Sequence, residues 1–276
     1  MTAVVENTDL AGLFGPDSVT WRVHSDPVLV LGGMRALLLQ ALHPRAMAGV
    51  ATHSGFRSDP WGRLRRTAEY VGVTTFGTAA DAARAAARVR GVHRRLTAID
   101  PDTGETFGID EPDLLAWVHA CEVDSFLSTA RRAGARLGPA EADRYVAEQR
   151  RSAELVGLSA DAVPADTAEL AAYFAAIRPQ LRATKDARAA ARFVLVPPMP
   201  AWVRLGTPAR PAWAALAGLA FALLPPWARR SYGIPPLPGN EIATTLAVRS
   251  LRLTLQLLPA SAREGPALKA ARARLA

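Results

Sequence analysis

The sequence predicts an all-α protein, a single-domain bundle of about ten helices, and three observations support that fold class. Apolar residues recur at three-to-four spacing through most of the 276 residues, which is the period of a helix with one buried face. β-branched runs are short and have no partner of matching pattern, the clearest being residues 19–23 and 71–75. Proline-rich connections, such as residues 195–200, separate the helical segments.

The first half of the chain contains three strongly helical segments. Residues 26–42 are almost entirely apolar, which predicts a buried helix. Residues 60–77 predict an amphipathic helix that runs into a loop. Residues 78–98 are rich in alanine and arginine and predict a helix capped by Thr78 or Asp81.

A turn and a long helix follow. Residues 100–108 are rich in Asp, Thr and Gly, which is typical of a turn. Residues 110–134 predict the next helix, with Asp110 as its cap and Pro112 in its first turn. Gly134 suits the residue that ends it.

The second half continues as helices without an internal repeat or a clear linker. We therefore predict one domain over residues 1–276, with a core at about residues 20–200 and C-terminal helices at residues 201–276 packed on it. The predicted amphipathic helices of this half are residues 138–158, 166–181 and 240–259.

Composition limits the classes of function. The net charge is +8, but the 31 arginines and two lysines are scattered through alanine-rich segments, so we expect no nucleic-acid partner. Cys121 is the only cysteine, which excludes a disulfide within the chain and a thiolate metal cluster. A cofactor must therefore be held by His, carboxylate or Arg side chains.

Two segments bear on location. Residues 1–18 have no basic-then-apolar signal pattern, which predicts a cytoplasmic protein. Residues 211–227 are apolar but short of the roughly 20 residues that span a bilayer, so a buried helix is expected. Peripheral membrane contact through residues 211–230 stays open, because Trp213, Trp227 and the Arg229–Arg230 pair suit a membrane interface.

His93 is the first candidate functional residue. Val89, Arg90 and Leu96 are its neighbours on the same helical face, so the imidazole lies on a mixed apolar face. An imidazole with a cation one turn away suits an iron macrocycle, since a neutral nitrogen binds iron and the arginine pairs with a carboxylate. The alternative is a core histidine bonded to a backbone carbonyl. Gly91 lies nearly opposite, and we assign it to close helix packing.

The preceding helix adds donors for an anion or for bound oxygen. Arg63 and Thr67 are four residues apart and share a face, and Tyr70 lies three residues after Thr67. Arg66 and Tyr70 form a neighbouring stripe. Two guanidinium groups and a hydroxyl can donate hydrogen bonds to a charged ligand, although a solvated basic face is the alternative.

These pieces occur in the order and spacing of a known family. The stretches HPRAMAGVATHSGFRSDPWGRLRRTAEYVGVTTFG, RVRGVHRRL and DEPDLLAWVHACEVDSFL resemble the mpaB/rubber oxygenase (latex-clearing protein) catalytic domain. The resemblance implies a globin-like core that binds haem b. It implies that His93 is the proximal iron ligand, that Arg90 is the arginine one turn before it, and that Arg63 and Thr67 line the haem pocket.

The sequence departs from the rubber oxygenases at two places. Those enzymes have a distal lysine directly before the threonine, where this chain has Arg66, which cannot lose its proton to become a ligand. They also use an upstream glutamate as a base, and residues 27–62 contain no glutamate. We therefore predict a haem-b-dependent oxygenase that uses dioxygen on an apolar small or medium-sized substrate other than polyisoprene. The alternative is a non-catalytic haem- or lipid-binding protein.

The other histidines offer further hypotheses. His43 and His53 are ten residues apart and would share a face if one helix contains both, with a distal-pocket or substrate contact as their function. His43 precedes a proline, which disfavours helical geometry there. His119 with Glu122 has the i, i+3 spacing of a non-haem iron site, although a core hydrogen bond is the main expectation for His119.

Overall fold

The computed structural model describes residues 12–55, 58–235 and 237–276. In these residues the chain forms fifteen α-helices and one two-stranded sheet, which confirms the predicted all-α class. Eleven helices have ten residues or more. The elements are α1 (Val19–His24), α2 (Leu29–Gln40), α3 (Pro44–His53), α4 (Pro60–Phe76), α5 (Ala79–His93), β1 (Thr97–Ile99), β2 (Thr106–Gly108), α6 (Pro112–Arg132), α7 (Pro139–Leu155), α8 (Thr167–Ile177), α9 (Lys185–Leu195), α10 (Ala201–Gly206), α11 (Ala209–Ala222), α12 (Pro226–Ser231), α13 (Asn240–Gln256), α14 (Ala260–Arg263) and α15 (Pro266–Leu275).

Some predictions concern residues outside these ranges. Residues 1–11 make up most of the segment used to judge the absence of a signal pattern, and they lie outside the described residues. The same holds for Phe56 and Arg57 in the first family-like stretch, and for residue 236.

The core is built on α2 and α6, which pack along each other. Leu38 of α2 and Trp117 of α6 are fully buried, and the Trp117 indole N–H donates to the Gln40 carbonyl oxygen at 3.0 Å. A Cβ atom at Gly32 would lie 2.9 Å from Cδ1 of Phe126, so glycine allows the two helices to approach closely. The prediction of a buried helix within residues 26–42 is confirmed.

Helices α4 and α5 form a hairpin. Thr78 caps α5: its hydroxyl accepts from the Asp81 N–H at 3.1 Å, and the Asp81 carboxylate accepts from the Thr78 N–H. This reciprocal capping box decides between the two predicted caps in favour of Thr78. The helix ends at His93 and not at Ala98 as predicted.

The chain after α5 forms the small sheet. Thr97 pairs with Gly108 and Ile99 with Thr106, in antiparallel register. Gly104 has a φ of 76° in the connecting turn, a conformation that glycine adopts without strain. The predicted turn is therefore present, but the hairpin it closes begins inside the segment predicted to be helical, because the β-branched residues at 97 and 99 find a partner strand.

The start of α6 differs slightly from the prediction. The capping position is Glu111, without a side-chain cap hydrogen bond, and Asp110 precedes it, so the prediction that Asp110 caps α6 is wrong. Pro112 is the first helical residue as predicted. Gly134 has a φ of 88° and follows the end of α6, which confirms the prediction that this glycine ends the helix.

The two β-branched runs, residues 19–23 and 71–75, are helical, as expected of runs that have no partner strand. Helix α9 was not predicted, although Thr184 caps it through the Ala187 N–H. Its apolar residues occur at helical spacing, and α9 packs on α2, α3 and α11.

The apolar segment at residues 211–227 is divided between two helices. Helix α11 ends at Ala222 and α12 begins at Pro226, since prolines cannot continue the first helix. Only Ala217 and Ala220 of α11 are buried, so the expectation of one fully buried helix is wrong. Among the described helices, none combines the length and apolar character needed to cross a bilayer.

Candidate functional site

The candidate site lies where α4 and α6 face each other. Arg63, Thr67 and Tyr70 follow one ridge of α4, and Val118 and Glu122 follow one ridge of α6. Val118 lines a cleft with Arg63 and Thr67, and the Glu122 carboxylate acts on the pKa of Tyr70. In the described part of the chain, α4 packs mainly on α1, α5 and α15 and not along α6. We call the space between these two ridges the slot.

The outer end of the slot opens into a largely apolar cleft. Residues of α2, α3, α4, α6 and α9 line it, and it is partly open to solvent. Met47, Val118 and Val194 are typical of its wall, and Arg63 and Thr67 supply polar groups. Such a cleft suits an apolar molecule with a few fixed polar contacts.

Arg63 is largely enclosed at the edge of this cleft. It donates through Nη1 to Ser54 Oγ at 3.0 Å. Burial, together with the neighbouring Arg66, lowers the pKa of the Arg63 guanidinium, which still remains a cation. Thr67 donates its hydroxyl to the Arg63 carbonyl oxygen at 3.0 Å, so its oxygen can accept a further hydrogen bond but its proton is already committed.

Arg66 lies apart from the cleft. Its side chain is 57% exposed and pairs with Asp59 at 3.1 Å. The prediction that Arg66 contacts a cofactor therefore finds no support in its position, because the next residue of the helix, and not Arg66, lies in the cleft wall.

The inner end of the slot holds titratable side chains. Burial, and then the nearby Glu122 carboxylate, raises the pKa of Tyr70 to about 12 against the opposing effect of Arg90. Burial raises the pKa of Glu122 to about 7 and lowers the pKa of His119 to about 4. Among the described residues, neither Glu122 nor His119 has a hydrogen-bond or ion-pair partner. The expected core hydrogen bond of His119 is therefore absent there.

Helix α5 contributes Arg90 and His93 near its end. Arg90 donates to the carbonyl oxygen of Leu155, which fixes the guanidinium between α5 and α7. His93 is half-buried as the last residue of α5. Burial lowers the pKa of its imidazole, and Asp110 opposes this shift. Within the described residues the His93 imidazole forms no hydrogen bond, so a ring nitrogen is free for a ligand.

Gly91 corrects one expectation. A Cβ atom there would have no neighbour within 4 Å among the described residues. The assignment of Gly91 to close helix packing is therefore wrong, since that face of α5 borders open space.

The structure brings some predicted residues together and leaves others apart. Arg63 and Thr67 share the cleft wall, and Arg90 lies near Tyr70 at the inner end. His93 is not part of the cleft wall and lies close to Asp110. The wall also includes Phe193 and other residues of α9, which sequence reasoning missed; the Thr184 cap and the apolar spacing after it were the available signal.

The donor set is compatible with a haem. Burial lowers the pKa of the His93 imidazole, which favours the neutral form that binds iron. Arg63 and Arg90 are cations that can pair with carboxylates. Glu122 and His119 are partly buried and have no hydrogen-bond or ion-pair partner among the described residues, so a bound ligand could supply one.

Three other histidines have structural partners. His24 is buried between Thr75 Oγ1 at 2.8 Å and Tyr145 OH at 3.0 Å, and burial lowers its pKa to about 3. His43 is the cap of α3 and accepts from the Ala46 N–H.

His53 lies on the outer side of α3. One ring nitrogen, Nε2, bonds the Thr97 carbonyl oxygen at 2.6 Å. His43 precedes the first residue of the helix that ends at His53, so the two do not share a helical face.

The non-haem iron hypothesis lacks a third ligand. His119 and Glu122 are one turn apart on α6, but the described residues contain no group of three or more His, Cys, Asp or Glu side chains placed to hold a metal ion.

The residues proposed to meet a membrane are mostly engaged inside the protein. Trp213 donates to the Val194 carbonyl oxygen at 2.8 Å. The Arg178 guanidinium lies 5.3 Å from the centre of the Trp227 ring. Arg229 is 2% exposed and pairs with Glu241, which leaves Arg230 as the exposed member of the set.

Comparison with known proteins gives one match. The family model described as ER-bound oxygenase mpaB/B'/Rubber oxygenase, catalytic domain, matches residues 21–265. No curated protein and no solved structure matches the chain. The matched range includes both walls of the slot.

Proposed function

Because the chain belongs to the mpaB/rubber oxygenase catalytic-domain family, we propose that it is a haem-b-dependent oxygenase. It acts with dioxygen on an apolar small or medium-sized substrate. The observation that carries this proposal is the slot between α4 and α6, where Arg63 and Thr67 lie at an apolar cleft and a free imidazole lies on the adjoining α5.

Each residue has a proposed task. His93 would hold the iron, and Arg90 would pair with a haem carboxylate. Haem, when bound, supplies dioxygen activation. Arg63 would donate hydrogen bonds to a ligand in the cleft, and Thr67 would accept one, since its own proton is committed to the Arg63 carbonyl. The apolar wall of the cleft would exclude water from the reacting groups.

The substrate class follows from the cleft and from the departures in sequence. Apolar side chains dominate the wall, which favours a hydrocarbon-like molecule. Polyisoprene is not the proposed substrate, because arginine stands where rubber oxygenases have their distal lysine. That Arg66 side chain pairs with Asp59 at the surface.

The first test is an absorption spectrum. We expect purified wild-type protein, or protein given haemin, to show a Soret band, because the His93 imidazole would hold the iron. His93→Ala should lose that band at equal protein concentration.

His53→Ala is the matched control and should keep the band, since His53 bonds a backbone carbonyl on the outer side of α3. A colourless wild type that is unchanged by added haemin would remove the haem proposal.

A second measurement separates an enzyme from a non-catalytic haem- or lipid-binding protein. The missing upstream glutamate motivates that alternative. Oxygen uptake by the haem-loaded protein with apolar alkenes supports turnover, whereas a Soret band without uptake for any of them favours binding alone.

A further inference from the structure

The net positive charge of the chain comes from its C-terminal part. Residues 196–276 contain ten basic and two acidic residues, whereas residues 1–195 contain 23 of each. The entire net charge of +8 therefore belongs to the segment that forms α10 to α15. A region of one sign raises the local concentration of oppositely charged partners.

The same region carries most of the exposed apolar surface. Of the fifteen large hydrophobic side chains that are exposed in the described structure, ten lie in residues 196–276. A concentration of exposed apolar side chains beside positive charge is typical of an interaction surface.

Helix α13 is apolar on two opposite faces. Thr244, Val248 and Leu251 lie on its inner face, of which Thr244 and Val248 are buried, and this face packs towards α11 and α6. The outer face carries Ile242, Leu246, Leu253 and Leu257, which lie within a narrow stripe on the helical wheel. These four are between 60% and 87% exposed and extend over about 22 Å. We call them the outer stripe.

Helix α10 adds an aromatic residue. Trp202 and Leu205 are three residues apart, so they share a face, and they are 73% and 80% exposed. Helices α10 and α13 both pack on α11. Tryptophan is enriched where proteins meet the interface of a bilayer, because its ring is apolar and its N–H is polar.

Free cations accompany the apolar residues. Arg204, Arg210 and Arg249 are exposed. Among the described residues, none of the three has an acidic partner. Arg249 is seven residues from Ile242 and therefore lies beside the outer stripe.

The charge distinguishes between the partners that could cover this face. A second copy of the chain would bring the same net charge of +8 to the contact, and like charges would repel. An anionic lipid surface complements both features, since it attracts arginine and accepts leucine and tryptophan side chains at its acyl boundary.

We propose that α10 and the outer stripe of α13 bind the surface of a membrane containing anionic lipids, with α13 lying in the plane of the interface. This surface is distinct from residues 211–230, whose tryptophans are used inside the protein. It also does not depend on the haem, so the two proposals succeed or fail separately.

The test uses the whole chain and vesicles of two compositions. Wild-type protein should co-sediment with vesicles of phosphatidylcholine and phosphatidylglycerol, bind pure phosphatidylcholine much less, and dissociate as salt rises. The double variant Leu246→Asp and Leu253→Asp should bind the anionic vesicles at least about tenfold more weakly, because it places two charges on the apolar stripe.

Ile99→Asp is the matched control. Ile99 is 64% exposed but lies on β1, in the part of the chain without net charge, so this variant should bind as the wild type does. All positions changed are exposed, and circular dichroism at each variant's working temperature verifies folding.

Three outcomes would overturn the proposal. They are no binding of the wild type to anionic vesicles, equal binding by the double variant, or a concentration-dependent dimer in sedimentation velocity that the double variant abolishes. The last would assign the outer stripe to self-association. The His93→Ala variant should bind vesicles as the wild type does.

Discussion

At the scale of single residues, burial sets the chemistry of the slot more than sequence neighbours do. Glu122, His119 and Tyr70 have no unusual residues next to them in sequence, yet burial is the main cause of the pKa shift of each. A carboxyl that titrates near neutral pH inside an oxygenase fold is able to give or take a proton there.

Glu122 makes a prediction about stability and pH. Its folded-state pKa of about 7 lies above the ordinary 4.5, so the folded state binds the proton more tightly than the unfolded state. Its contribution to stability is complete below pH 4.5 and is lost as pH rises through 7. Glu122→Gln should therefore gain stability over the wild type at pH 8 relative to pH 5, by up to about 3 kcal/mol.

Urea unfolding at the two pH values measures this difference. Glu105→Gln, at an exposed position in the turn before β2, is the control and should follow the wild type. Parallel behaviour of Glu122→Gln and the wild type across this range would contradict a neutral, buried Glu122.

At the scale of elements, close helix contact depends on individual small residues. Gly32 and Gly33 are adjacent in α2 and have the same helix propensity. A Cβ at Gly32 would lie 2.9 Å from the Phe126 ring and 3.3 Å from the Ser125 carbonyl oxygen, whereas a Cβ at Gly33 would meet nothing within 4 Å among the described residues.

This contrast gives a paired prediction. Gly33→Ala should stabilise the protein by up to about 1 kcal/mol, because alanine costs less backbone entropy in a helix. Gly32→Ala should destabilise it by about 1–3 kcal/mol through overpacking against α6. The midpoints of urea unfolding compare the two variants. A similar increase in stability in both would contradict the prediction, because it would mean that α6 accommodates the added methyl group without strain.

At the scale of the whole molecule, two parts of the chain differ in net charge. Residues 1–195, which include the slot, have no net charge, and residues 196–276 carry the entire net charge of +8. The slot and the outer stripe are therefore separate surfaces of one chain, and mutations in one should leave the other unchanged.

Buried histidines govern the response of the whole fold to acid. The pKa values of His24 and His119 are lowered to about 3 and about 4, so below pH 6.5 the unfolded state binds protons that the folded state does not. Between pH 6.5 and 5 each should cost about 2 kcal/mol of stability, with Glu122 offsetting part of the loss. Thermal unfolding should show a falling midpoint over this range in Glu122→Gln, where the contribution of Glu122 no longer opposes that of the histidines. A constant midpoint in that variant would refute the assignment.

The sequence by itself determined the fold class, most helices and the order of the family-like residues, because helical periodicity and capping are local properties. Thr78, Pro112 and Gly134 could each be assigned from their neighbours alone. The same local reasoning failed at residues 97–99, where a partner strand nine residues later decided the structure.

Only the tertiary structure decided which side chains lie together. It placed Arg63 and Thr67 in the cleft wall, sent Arg66 to the surface, and turned the tryptophans of residues 211–230 inward. It also exposed a second apolar face on α13 that looks, in sequence, like an ordinary buried one. Burial and solvent access depend on how distant helices pack, and that information is not contained in the period of any one helix.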